Sequence, residues 1–143
     1  MKKIIVFVLA LFAISCLSDD ENLSETAENS ISFTLNGVDY LLTDYEVRID
    51  PTNADMRIVE ASFDHHTKQI SFFVIVEETN EIEQFILEEN DFSWISEFGL
   101  GYRETSITTH TNTNMIGTFT IIMEGRSGEP AHVFTNGIIN ISY

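Results

Sequence analysis

Cys16 is the only cysteine of the chain, and it follows Ala13-Ile14-Ser15 directly. A lone thiol has no partner for an intramolecular disulfide. Asp64-His65-His66 joins a carboxylate to two imidazoles, good ligands for zinc or a similar ion. Neighbouring residues on a strand point to opposite faces, so His65 and His66 converge only on a turn. Thr67-Lys68 after them suggests a hairpin turn. The expectation is a solvated turn with no metal. The alternative is a divalent-metal site on Asp64, His65 and His66, joined by His110 or His132.

Residues 77–104 set Glu77, Glu78, Glu81, Glu83, Glu88, Glu89, Asp91, Glu97 and Glu104 against Arg103. A hard cation such as calcium takes six to eight oxygens in a compact loop, and the spacing of an EF-hand is missing. With so many acids, chance carboxylate pairs are plentiful, so no glycosidase-like pair is assigned. This stretch reads as a solvated acidic face. There is no Gly-x-Ser-x-Gly elbow, and Gly99-Leu100-Gly101 lacks the Gly-Lys-Ser/Thr of a phosphate loop. The expectation is no catalytic residue and no enzyme. Phe92, Trp94, Phe98 and Tyr102 lie among the acids. If exposed, Trp94, Phe92 and Tyr102 form a binding surface, since aromatics carry much contact energy; if buried, they plug the core.

The surroundings of Cys16 decide its chemistry. Lys2 and Lys3 precede an unbroken apolar run from Ile4 to Ile14. A charged start, a short apolar stretch and a small residue before the cut describe an export signal. A membrane-spanning helix needs about 20 apolar residues, so this run is too short to be one. Ala13-Ile14-Ser15-Cys16 resembles a relaxed form of the bacterial lipobox. The resemblance implies cleavage before Cys16 and a covalent lipid on its sulfur, with no other cofactor. Leu17-Ser18-Asp19-Asp20-Glu21 resembles the acidic export signal of Bacteroidetes-type surface lipoproteins. It implies an outer-membrane location facing the exterior, with Asp19, Asp20 and Glu21 as the signal.

The chain carries 23 acidic residues against 7 Lys and Arg, a formal charge of −16. Loss of Lys2 and Lys3 with the leader makes it more negative still. Such a chain repels phosphate backbones, so nucleic acid is excluded as a partner. It repels anionic headgroups too, so the membrane link is the lipid alone.

The elements around these residues read as strands. Residues 17–30 are polar, acidic and free of aromatics, which suits a disordered tether. From Ile31 the pattern alternates: Ile31, Phe33 and Leu35, then a tight turn at Asn36-Gly37, then Val38, Tyr40 and Leu42. Asp50-Pro51-Thr52-Asn53 marks another turn. Val59, Ala61 and Phe63 alternate. Residues 69–76, QISFFVIV, are apolar on both faces and predict a central strand covered on both sides. Residues 82–87 and 115–123 predict further strands. Residues 132–143 predict a last one with Val133, Thr135, Ile139, Ile141 and Tyr143 on one face, and a bulge or close approach at Gly137. The competing helix over residues 88–98 would be capped by Asn90 or Asp91 and is outweighed by a loop or short strand.

The expected organisation is a signal peptide over residues 1–15, an acylated tether over 16–30 and one domain over 31–143. That domain is all-β, an antiparallel β-sandwich or a partly open barrel. Its Asn36-Gly37 hairpin, Gly117-Thr118-Phe119 strand and closing Asn136-Gly137 strand resemble a class of small Bacteroidetes lipoproteins with no established activity. The functional expectation is a surface lipoprotein whose β domain binds a glycan or envelope protein without catalysis. The alternative is a structural accessory subunit of an outer-membrane complex, docked by strand addition along an exposed edge such as the last strand.

Overall fold

The computed structural model describes residues 28–76, 81–96, 101–124 and 132–143. The leader, Cys16, Asp19, Asp20, Glu21 and Phe98 lie outside them. Ten strands follow in order: β1 (Ser30–Leu35), β2 (Val38–Leu42), β3 (Glu46–Ile49), β4 (Met56–Phe63), β5 (Lys68–Ile75), β6 (Gln84–Glu89), β7 (Phe92–Ser96), β8 (Tyr102–His110), β9 (Asn114–Met123) and β10 (His132–Ser142). They make two five-stranded antiparallel sheets, β2-β1-β10-β9-β8 and β3-β4-β5-β6-β7. Each sheet keeps two free edges, so the domain is a β-sandwich and not a closed barrel.

Tight turns follow from residues that accept positive φ. Asn36 and Gly37 have φ of 49° and 84°, the twist that joins two antiparallel strands directly. Asn36 also donates its N–H to the Val133 carbonyl (3.0 Å) and accepts from the Val133 N–H through Oδ1 (2.9 Å). The first hairpin is thereby locked to β10. Asn90 and Asp91 have φ of 52° and 65° and join β6 to β7, with Glu89 opposite Phe92. No helix forms at Asn90 or Asp91; both are turn residues.

The core is a layer of phenylalanines between the sheets. Phe33 and Phe134 from one sheet meet Phe63 and Phe85 from the other at centroid distances of 5.0–5.4 Å. Burying each such side chain contributes about 1.5–3 kcal/mol before packing terms. β5 is central, as its composition predicts, but its two faces are buried to different degrees. Ile70, Phe72 and Val74 are fully buried, whereas Ser71, Phe73 and Ile75 on the outer face are half-buried. Lateral packing in the sheet makes up part of the difference: Ile58 stands opposite Phe73 and is only 3% exposed.

β10 departs from simple alternation. Its register with β9 shifts between Phe134 and Gly137, so Thr135 and Asn136 form a bulge. The extra residue reverses the phase of the strand. Phe134 faces the core before the bulge and Ile139 and Ile141 face it after, while Val133 and Thr135 are only half-buried. Strict alternation through residues 133–143 therefore misplaces Val133 and Thr135. β10 is also flanked by β1 and β9, which removes it as a docking edge. The edges are β2, β8, β3 and β7.

Candidate functional site

One end of the sandwich gathers polar groups between the sheets. β4 points Val59, Ala61 and Phe63 inward, and the same phase carries Arg57 inward two residues earlier. Arg57 is only 6% exposed. The turn before β4 is held by the Asp50 carboxylate, which accepts from the Thr52 hydroxyl (2.5 Å), the Thr52 N–H (2.7 Å) and the Asn53 N–H (3.0 Å). These bonds hold its pKa below the usual carboxylate range, the Thr52 hydroxyl most of all. The turn presents the Ala54 carbonyl to Arg57 Nη1 at 2.8 Å.

The opposite wall comes from the β8–β9 turn and the residue after β10. Thr111 Oγ1 accepts from the N–H groups of Thr113 (3.2 Å) and Asn114 (3.0 Å), closing the turn. Asn112 then accepts from Arg57 Nη2 through Oδ1 at 3.2 Å. Tyr143 donates its hydroxyl to the Thr111 carbonyl (2.9 Å). Burial raises the Tyr143 pKa, and the neighbouring Arg57 guanidinium opposes that rise. Val47, Arg48, Ile49, Arg57, Asn112 and Tyr143 line a crevice of about 300 Å³. Arg48 reaches it while pairing with Glu60 at 2.6 Å.

His110 stands beside this end. Its Nδ1 lies 3.3 Å from the Ile75 carbonyl and donates to it, which leaves Nε2 as a buried acceptor with no partner among the described residues. Burial lowers the His110 pKa, the Ile75 carbonyl opposes this, and the charge of Arg57 adds to the lowering.

The residues singled out from the sequence stand elsewhere. Asp64, His65 and His66 form the β4–β5 loop at the other end, all with positive φ (50°, 58° and 64°) and all exposed. Asp64 is committed to Lys68 Nζ at 2.6 Å, which lowers its pKa, and its carbonyl accepts from Thr67 Oγ1 at 2.6 Å. Among the described residues no group of three His, Cys, Asp or Glu side chains is placed to hold a metal ion. His132 is buried at the far end from His110, 4.0 Å from Glu89 Oε2 and edge-on to Trp94 at a centroid distance of 4.6 Å.

The aromatic surface is divided. Trp94 is half-buried and packs against the core. Phe92 is 56% exposed at the start of β7. Tyr102 is 50% exposed on β8 of the other sheet, its hydroxyl donating to Glu104 Oε2 at 2.7 Å. Trp94 is thus partly packed into the core, and Phe92 and Tyr102 stand on different sheets. Several of the acids have structural partners: Glu81 with Arg103 (3.9 Å) and Glu89 with Lys68 (3.4 Å).

Arg57 escaped the sequence reading, although the signal was present. Extending the Val59, Ala61, Phe63 alternation back by two places an arginine on an inward face. The sequence matches no protein-family model and no curated protein.

Proposed function

We propose that this chain is a lipoprotein held on the outer membrane through Cys16, with its sandwich displayed outward as a non-catalytic binding module. The observation that carries this reading is a single cysteine placed between an eleven-residue apolar run and the acidic triplet Asp19-Asp20-Glu21. One acyl chain binds a membrane reversibly and two or more anchor stably. A strongly negative chain has no electrostatic affinity for an anionic leaflet, so acyl anchoring accounts for membrane attachment. The partner is a glycan or envelope component, not nucleic acid.

A Cys16→Ser chain tests the anchor. Wild-type protein is expected in the membrane fraction, released only by detergent, and the variant in the soluble fraction. A variant that stays in the membrane overturns the anchor. Protease added to intact cells is expected to degrade the domain; full protection overturns the outward orientation.

The accessory-subunit reading has one observation in its favour. Val38 and Leu41 on β2, Ile49 on β3, and Phe92 and Ile95 on β7 are exposed apolar residues on edge strands. Stoichiometric co-purification with a membrane complex, lost on Leu41→Glu, would favour it over the free binding module.

A further inference from the structure

We propose that the crevice at Arg57 binds a small organic monocarboxylate, its carboxylate on the guanidinium and its apolar body against Val47, Ile49 and Tyr143. A guanidinium has five N–H donors and keeps its charge in any protein. Burying a charge is expensive unless it is paired. Arg57 is 6% exposed, yet among the described residues no carboxylate forms an ion pair with it. Its acceptors are neutral: the Ala54 carbonyl at 2.8 Å, the Met56 carbonyl at 3.5 Å and Asn112 Oδ1 at 3.2 Å, with the Tyr143 hydroxyl as a further neutral partner. A chain with 23 acidic residues has acids in excess, yet two at this end are engaged otherwise: Asp50 holds the turn before β4 and Glu60 pairs with Arg48. Arg57 lines an open crevice in place of an internal pair.

The ligand class follows from shape and charge. A carboxylate presents two coplanar oxygens that match the guanidinium fork. The crevice, about 300 Å³, lies at the small end of ligand sites, so the ligand body is compact. Val47, Ile49 and the Tyr143 ring offer it apolar walls. The net charge of −16 disfavours a dianion such as phosphate over a monoanion. Arg48, on the same wall, is neutralised by Glu60 and supplies little of the binding charge.

This inference extends the binding-module reading without depending on the lipid. The Cys16→Ser chain is expected to bind as the wild type does, so failure of the anchor and failure of the crevice are read separately. The test is calorimetric titration of the full chain with benzoate, with its neutral isostere benzamide and with inorganic phosphate. Benzoate is expected to bind saturably at millimolar concentration, with benzamide and phosphate weaker by roughly tenfold or more. Arg57→Gln is expected to reduce benzoate binding by a similar factor. Ile49→Asp, at a position 56% exposed and therefore tolerant, sets a competing carboxylate at the crevice and is expected to abolish it even if Arg57→Gln fails to fold. Absence of benzoate binding, equal binding of benzamide or phosphate, or unchanged binding in Ile49→Asp overturns the proposal.

Discussion

Gly137 on β10 lies directly against the ring of Phe119 on β9: a Cβ added at Gly137 would come within 2.5–2.6 Å of three ring carbons. The backbone of one strand and the aromatic face of the next thus fill the same layer. Phe119 is almost fully buried, with Phe33 and Phe85 packed on its other sides, so it has no room to retreat.

Gly137→Ala is therefore expected to destabilise the fold by about 1–3 kcal/mol, the usual cost of overpacking a filled core. Urea denaturation should show a lower midpoint with an unchanged slope. A midpoint equal to wild type would mean that Phe119 moves freely.

The bulge beside this contact makes a second expectation. Phe134 and Val133 are neighbours, but the phase of β10 sends only Phe134 fully into the core. Phe134→Ala should cost about 3–5 kcal/mol, and Val133→Ala no more than about 1 kcal/mol. Equal losses would place the bulge elsewhere.

The loop of Asp64, His65 and His66 holds three successive left-handed residues, none of them glycine. An L-residue pays roughly 1–2 kcal/mol for that conformation. His66→Gly is expected to raise stability by about 0.5–1.5 kcal/mol, because glycine adopts positive φ without the Cβ clash. Loss of stability would show that the imidazole makes a contact worth more than the strain.

His110 predicts a pH effect. Its folded pKa lies below the unfolded value of about 6.5. The unfolded chain thus takes up a proton that the folded chain refuses. Stability should be full above the unfolded value and fall as pH drops through about 6.5 towards the folded pKa. Arg57 nearby and the Ile75 carbonyl are the groups that set this balance. The carboxylates of Asp50 and Asp64, whose pKa values are lowered, lose their contribution only below about pH 4, a separate phase. Thermal melts of His110→Gln between the two regions should be flatter than wild type; an identical profile would assign the effect to another group.

Trp94→Ala separates a core role from a binding role. Trp94 packs against buried residues and edge-on to His132. The expected outcome is a loss of about 3 kcal/mol, the lower part of the range for large aromatics, with benzoate binding retained in the folded fraction.

Much of this fold is legible along the chain. Alternation at Ile31, Phe33 and Leu35, the Asn36-Gly37 turn and the apolar run of β5 each follow from side-chain period and from which residues accept positive φ. Residues 88–98 were less legible, because Asn90-Asp91 begins a helix as readily as it turns a hairpin. What decides is the pairing of Phe92 with Glu89 and of β6 with β5, a contact between strands and not a local preference.

By itself the sequence determines the strand class, the inward phases of most strands, the strong negative charge and the special place of Cys16. These are properties of neighbouring residues and of composition. Tertiary structure alone decides that β10 is enclosed between β1 and β9, that its bulge exchanges Phe134 for Val133 on the core face, and that Arg57 shares a crevice with Asn112 and Tyr143. Those relations join residues far apart in the chain, set by sheet order and register, and local periodicity carries no record of which distant strand will stand opposite.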